Sequence, residues 1–196
     1  MRKASLIIIL ILLCSSLFIS IAVFKRPLLQ IAFLNVGQGN AILVTSPSGN
    51  SLLIDGGPDQ SVLQALGRET HFYSRSIDVV LATSQKSSNI AGLSSVLGRF
   101  NIGAFIDSGL TPSTATYRSL LDEVTKENIS RITANVGEDI NLGGGARFVV
   151  LSSGAEITGR IVYGTTSISI PGDIPDFASS TEDIVFESDG NSVWRK

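Results

Sequence analysis

Residues 30–57, QIAFLNVGQGNAILVTSPSGNSLLIDGG, carry the clearest architectural signal in the chain. Gln30–Asn35 predicts a strand that enters the Gly37-Gln38-Gly39 turn, and Ala41–Thr45 predicts a second strand. Pro47-Ser48-Gly49-Asn50 marks a turn, and Ser51–Asp55 predicts a third strand closed by Gly56-Gly57-Pro58. Short runs of β-formers separated by Gly, Pro, Asn and Ser are the pattern of consecutive hairpins.

Downstream of this block the hydrophobic period changes. Gln60–Gly67 and Asn89–Phe100 carry apolar residues at helical spacing, and Thr114–Glu127 presents the stripe Tyr117, Leu120, Leu121 and Val124. Between them, Ile77–Ala82 is the continuous apolar run of a strand covered on both faces, and Gly103–Asp107 predicts another strand. From Ile132 the pattern is again β: Ile132–Val136, Asp139–Leu142 and Ala146–Leu151 predict strands. Arg160–Tyr163 and Ser167–Ile170 predict a hairpin around Gly164-Thr165. Strands alternating with helices, with β-rich stretches at both ends, indicate a two-sheet α/β domain. The acids after Asp173 (Asp176, Glu182, Asp183, Glu187 and Asp189) predict a solvated, loop-like tail.

The amino-terminal region is of another kind. Ala4–Phe24 carries no charge, and its 21 residues match the ~20 that a helix needs to cross a bilayer. Arg2 and Lys3 precede it, Lys25 and Arg26 follow, and Pro27 ends the helical pattern. Residues 1–26 therefore predict one transmembrane helix, a membrane anchor or uncleaved signal, with residues 27–196 as a single extracytoplasmic domain at a single-pass membrane location. Ser20-Ile21-Ala22 is a small-x-small triplet, and cleavage after Ala22 would make the domain a secreted one. Basic residues flank both sides almost equally, so a cytoplasmic domain is the alternative topology.

Composition excludes several classes. Of 15 basic residues, two precede the apolar run, which leaves 13 against 17 acids. Nothing in that balance supports binding of a nucleic-acid backbone. Cys14 is the single cysteine and His71 the single histidine. An intrachain disulfide and a cysteine-based metal site are thereby excluded, and a Ser/His/Asp triad would have to use His71, near which no G-x-S-x-G elbow occurs. Gly143-Gly144-Gly145 lacks the Lys-Ser/Thr of a phosphate loop.

Several segments in order resemble the metallo-β-lactamase-like domain of ComEC-type competence DNA-uptake proteins. Phe33–Ala41 (FLNVGQGNA) is similar to that family's FLDVGQGDA, and Leu53–Gly57 matches its LIDGG. Ile77–Thr83 matches the strand entering its metal loop, Gly92-Leu93 the GL after that loop, and Ser169–Asp173 a late strand ending in GD. The resemblance spans residues 30–182. It implies an α/β metallo-β-lactamase-like αββα sandwich, two mixed sheets flanked by helices, with a shortened carboxyl end.

The departures concern the metal. The family's THxHxDH loop binds two zinc or manganese ions, and here it reads Thr83-Ser84-Gln85-Lys86-Ser87-Ser88-Asn89. Ser84, Lys86 and Asn89 stand at the histidine positions and Ser88 at the aspartate. Asp173 keeps the bridging aspartate's place, and Asp55 and Thr83 stand behind the loop. Hydroxyls and amides are poor zinc ligands, and an ammonium sits where a cation would bind. The expectation is thus no cofactor, no catalytic residue and no metal ligand: an inactive domain acting as a binding or scaffolding module, with a polytopic membrane protein as partner. The alternative is a metal-dependent hydrolase or phosphodiesterase with a rebuilt or one-metal site on Asp173 and Asp55. Buried charges must be paired, so Lys86 is expected to pair with Asp173, with Asp55 behind.

Overall fold

The computed structural model describes residues 28–69, 75–170 and 182–196. The expected transmembrane helix, His71 and Asp173 lie outside these residues. Among the described residues, no helix is long and apolar enough to cross a membrane.

The opening hairpins form as their turn residues require: β1 (Leu29–Phe33), β2 (Ile42–Thr45) and β3 (Ser51–Ile54) pair antiparallel in sequence. After helix α1 (Ser61–Glu69), β4 (Ser76–Leu81) pairs parallel to β3. The short helices α2 (Ser87–Ile90) and α3 (Leu93–Leu97) cross over to β5 (Asn101–Asp107), and α4 (Ala115–Lys126) crosses to β6 (Ser130–Thr133), both strands again parallel. The Thr114 hydroxyl accepts the Tyr117 N–H at 3.1 Å and caps α4. The single helix expected over 89–100 is two, because the chain breaks at Ala91-Gly92 to fit beside a neighbouring loop.

The remaining strands are β7 (Asp139–Gly143), β8 (Ala146–Ser152), β9 (Thr158–Tyr163), β10 (Thr166–Ile170), β11 (Ile184–Ser188) and β12 (Val193–Arg195). The first sheet has eight strands in the order β12-β11-β1-β2-β3-β4-β5-β6, and the second has four in the order β10-β9-β8-β7. The carboxyl-terminal tail expected as a solvated loop supplies β11 and β12 instead. Asp183 shows why. Its side chain is only 4% exposed, receives Arg68 Nε at 2.7 Å and Nη2 at 2.9 Å, and accepts the Asn35 N–H at 2.6 Å. Trp194 stands on edge strand β12 and is 39% exposed.

Two cores follow from the period-2 alternation of the eight-stranded sheet. Ala32, Leu43, Leu53 and Val80 face the helices, where Leu66, Leu93 and Leu120 meet them. Ile31, Val44, Leu52 and Leu81 face the second sheet and meet Phe148, Val150 and Ile161. Leu53 and Val80 are fully buried, and burial of each such side chain contributes about 1.5–3 kcal/mol.

The αββα expectation needs correction in its outer layer. Among the described residues no helix joins the inter-sheet core, and the second sheet is antiparallel rather than mixed. Its outer face is mostly polar: Asn141, Arg147, Arg160, Ser167 and Ser169 are exposed there, with Val149 and Val162 half-buried among them. A sheet with a polar outer face needs no helix to cover it, so the described residues form a helix–sheet–sheet stack.

Candidate functional site

The candidate site lies where β3, β4 and β5 end. The pairings Ile54–Leu81 and Leu81–Ile106 bring the three carboxyl ends level. Asp55, the Thr83–Asn89 loop and Asp107 follow directly.

Glycines hold the loops together. Gly56 N–H donates to the Asn89 carbonyl at 2.7 Å, Gly57 N–H to that of Asn40 at 2.9 Å, and Gly92 N–H to that of Gly57 at 3.0 Å. A Cβ on Gly39 would collide with the Ser88 carbonyl oxygen, and one on Gly92 with the carbonyl oxygens of Gly56 and Asp59. The VGQG, DGG and GL segments are therefore one interlock, and the Thr83–Asn89 loop is seated in it.

Asp55 lies beneath that loop, 1% exposed and in the left-handed region at φ 58°. A short polar side chain tolerates this conformation better than most. Its carboxylate accepts the Thr83 N–H at 2.9 Å and the Thr83 hydroxyl at 2.6 Å. Burial pushes its pKa up to about 7 despite these two bonds; the nearby Glu156 carboxylate raises it further, and Lys86 opposes.

The loop residues satisfy one another. Asn89 Nδ2 donates to Ser84 Oγ at 3.3 Å, Ser88 Oγ donates to Asn89 Oδ1 at 3.2 Å, and the Lys86 N–H reaches Ser84 Oγ at 3.4 Å. Ser84 makes an isolated antiparallel bridge to Glu156, and Ile157 N–H donates to the Thr83 carbonyl at 2.7 Å. Lys86 Nζ stands 3.7 Å from Glu156 Oε1, a buried oxygen with no hydrogen bond. The structure brings Ser84, Lys86, Ser88 and Asn89 together, with Asp55 and Thr83 behind them. It gives Lys86 one partner in Glu156; Asp173, the partner expected from the sequence, lies outside the described residues.

Reading the sequence missed three further contributors. Glu156 lies between β8 and β9, where a lone acid gives no local signal. Gln85 ties the loop to the β5–α4 connection: its Oε1 accepts the Ser113 N–H and hydroxyl, each at 2.7 Å. Asp107, 1% exposed, accepts Tyr117 Oη at 2.6 Å, Arg131 Nε at 2.9 Å and the Gly109 N–H at 2.9 Å. Burial first, and then the Asp107 contact, raise the Tyr117 pKa well above its ordinary value.

Two measurements check this geometry. Tyr117→Phe leaves one Asp107 oxygen short of a donor and should cost about 1–2 kcal/mol in urea unfolding. Lys86 and Glu156 side chains are 53% and 32% exposed, so a double-mutant cycle with Lys86→Met and Glu156→Gln should give a coupling of no more than about 1 kcal/mol.

No family model matches the chain, and no curated protein matches it either. Solved structures do. A metallo-β-lactamase with a HARLDQ motif from Cronobacter sakazakii superposes with a TM-score of 0.52 at 12% identity, over 75% of this chain and 61% of that one. The fold is that of the metallo-β-lactamases. YhfI from Bacillus subtilis, a metallo-β-lactamase-fold protein, gives 0.47 at 13% identity, over 85% of this chain and 61% of its own. Zinc-bound PqqB from Methylobacterium extorquens gives 0.47 at 16% identity, over 66% and 47%. The chain spans about half to three-fifths of the length of these structures.

A metallo-β-lactamase fold implies divalent metal between these loops. Among the described residues the donors do not fit a metal pair. Among the described residues no three His, Cys, Asp or Glu side chains converge. The Ser84 and Asn89 side chains are engaged with each other, both Asp55 oxygens face Thr83, and Lys86 adds positive charge at the mouth. Zinc needs several N, S or anionic O donors free to converge on it.

Proposed function

We propose that this chain is a catalytically inactive metallo-β-lactamase-fold domain, anchored in a membrane through residues 4–24, that serves as a binding or scaffolding module. The observation that carries the reading is the Lys86–Glu156 ion pair at the head of a loop whose polar side chains are already engaged. An ammonium at that place repels a dication, and neutral hydroxyls and amides hold one weakly. The resemblance to ComEC-type proteins points to DNA uptake as the setting and to a polytopic membrane protein as partner. The acidic balance of the domain speaks against its holding the nucleic acid itself.

The test is metal analysis and phosphodiesterase assay of the purified full-length chain after incubation with zinc and with manganese. Substoichiometric metal and no turnover are expected. Stoichiometric, tightly held metal with turnover lost on Asp173→Ala and on Asp55→Asn would establish the hydrolase reading instead. A polytopic membrane protein co-purifying with the chain supports the scaffold role.

A further inference from the structure

The entry of the chain into the domain fixes which end of the sandwich meets a membrane. Residues 1–27 lie outside the described residues, but the sequence sets how far they are from the fold. The uncharged run ends at Phe24 and β1 begins at Leu29, so four residues, Lys25 to Leu28, form the link. Fully extended, four residues reach at most about 14 Å.

Leu29 lies at one end of the sheet and the candidate site at the other. Leu29 pairs with Ser188, Gln30 with Thr45, and Thr45 with Ser51. The turns gathered around this base are 47–50, 143–145, 164–165 and 189–192. Ser48 Oγ donates to the Leu142 carbonyl at 3.1 Å, and Thr165 N–H to that of Gly190 at 2.7 Å. At the opposite end, Phe33 pairs with Ile42 and Ile42 with Ile54, level with Leu81 and Ile106, after which the site loops begin. β5 alone has seven residues, or roughly 23 Å of sheet. A link of about 14 Å cannot run that length and return the site end to the bilayer.

We propose that the base of the sandwich rests on the phospholipid headgroups and that the Thr83–Asn89 loop with Glu156 points away from the membrane. This inference rests on the anchored reading above. The chemistry of the base supports it. Its turns present Ser48, Asn50, Gly144, Thr165 and Asn191, all exposed and uncharged. The single charge in those turns, Asp189, has its carboxylate turned onto the N–H groups of Asn191 and Ser192, both at 2.9 Å. The rest of this end is charged: Arg75 and Arg99 precede β4 and β5, and Lys126 and Glu127 close α4 before β6, all exposed. Small polar turns lie among headgroups at little desolvation cost, and the three cations at this end can meet headgroup phosphates. Whatever binds the site then approaches from the aqueous side, not laterally through the bilayer.

The test uses the full-length chain with Cys14→Ala, reconstituted into phosphatidylcholine–phosphatidylglycerol vesicles that carry headgroup nitroxides. A thiol-reactive fluorophore is attached at Asn191→Cys in the base or at Thr111→Cys beyond β5. Collisional quenching several-fold stronger at position 191 than at 111 is expected. Flotation with the vesicles but equal quenching, or stronger quenching at 111, overturns the orientation and leaves the anchor standing. Failure to float with the vesicles overturns the anchored reading, and the orientation falls with it. Circular dichroism of both labelled variants confirms that each compared protein is folded.

Discussion

Asp55→Asn is expected to make the protein more stable than its parent at pH 8 and no more stable at pH 4. The carboxyl has a folded pKa of about 7 against 3.8 for the ordinary side chain, chiefly because it is buried. Between those values the unfolded chain has released its proton and the folded chain has kept it. Unfolding stability therefore falls as pH rises from about 4 to 7, and the loss is complete above the folded pKa. A shift of that size corresponds to a loss on the order of 4 kcal/mol. Asparagine carries no charge to bury and tolerates the left-handed backbone; its amide oxygen still accepts the Thr83 N–H, and its NH₂ donates to the Thr83 hydroxyl. A gain of about 2 kcal/mol or more at pH 8 is expected. Asp55→Ala, by contrast, strands two buried Thr83 donors and should lose about 2–4 kcal/mol. Urea unfolding of all three proteins at pH 4, 6 and 8 reads the differences, in which the other titrating groups largely cancel. An Asn variant that tracks its parent across this range would show that Asp55 is ionised throughout.

Gly92→Ala is expected to cost about 3 kcal/mol or more. The reason is space, not conformation: Gly92 sits at φ −65°, ψ −25°, where any residue is comfortable. Its missing side chain is what lets the start of α3 approach the Gly56 and Asp59 carbonyl oxygens. Both obstacles are backbone, so no rotamer change relieves the collision. For a domain of this size the midpoint of thermal unfolding should fall by roughly 6–12 °C. Gly67→Ala is the control, because nothing lies within 4 Å of its added Cβ, and it should gain about 0.5–1 kcal/mol through helix propensity. A Gly92→Ala variant with an unchanged midpoint would mean that the loops are not interlocked.

Asp55 and Gly92 belong to different parts of the same site. The glycines keep the loops in register whether or not chemistry occurs above them, which is a physical reason for VGQG, IDGG and GL to be present beside a loop with serines, lysine and asparagine. Asp55 is the floor of that loop, and its titration is felt as stability because burial opposes its charge by more than the two Thr83 bonds support it.

Much of the fold was legible in residue order. Strands β1 to β5 and helices α1 and α4 follow from turn residues and hydrophobic period, both local properties. The short Ile184–Ser188 and Val193–Arg195 strands were not legible, because their acids and serines resemble a solvated tail. They become strands only because β1 offers an open edge and Arg68 and the Asn35 N–H receive Asp183. That no helix among the described residues covers the second sheet was likewise invisible while the polar residues of β8 to β10 could not be assigned to a face.

For the site, the sequence alone determined which donors the Thr83–Asn89 loop contains, since ligand chemistry is a property of residue type. It also set how close the apolar run lies to β1, since chain length is countable. Only the tertiary structure decided what those residues face. Glu156, 70 positions from Lys86, becomes its partner because the two sheets meet at the Ser84 bridge. Asp55 is driven toward neutrality because two packed layers close over it. Pairing between distant segments and the depth of burial both depend on how the layers stack, and neither is written in any one stretch of the chain.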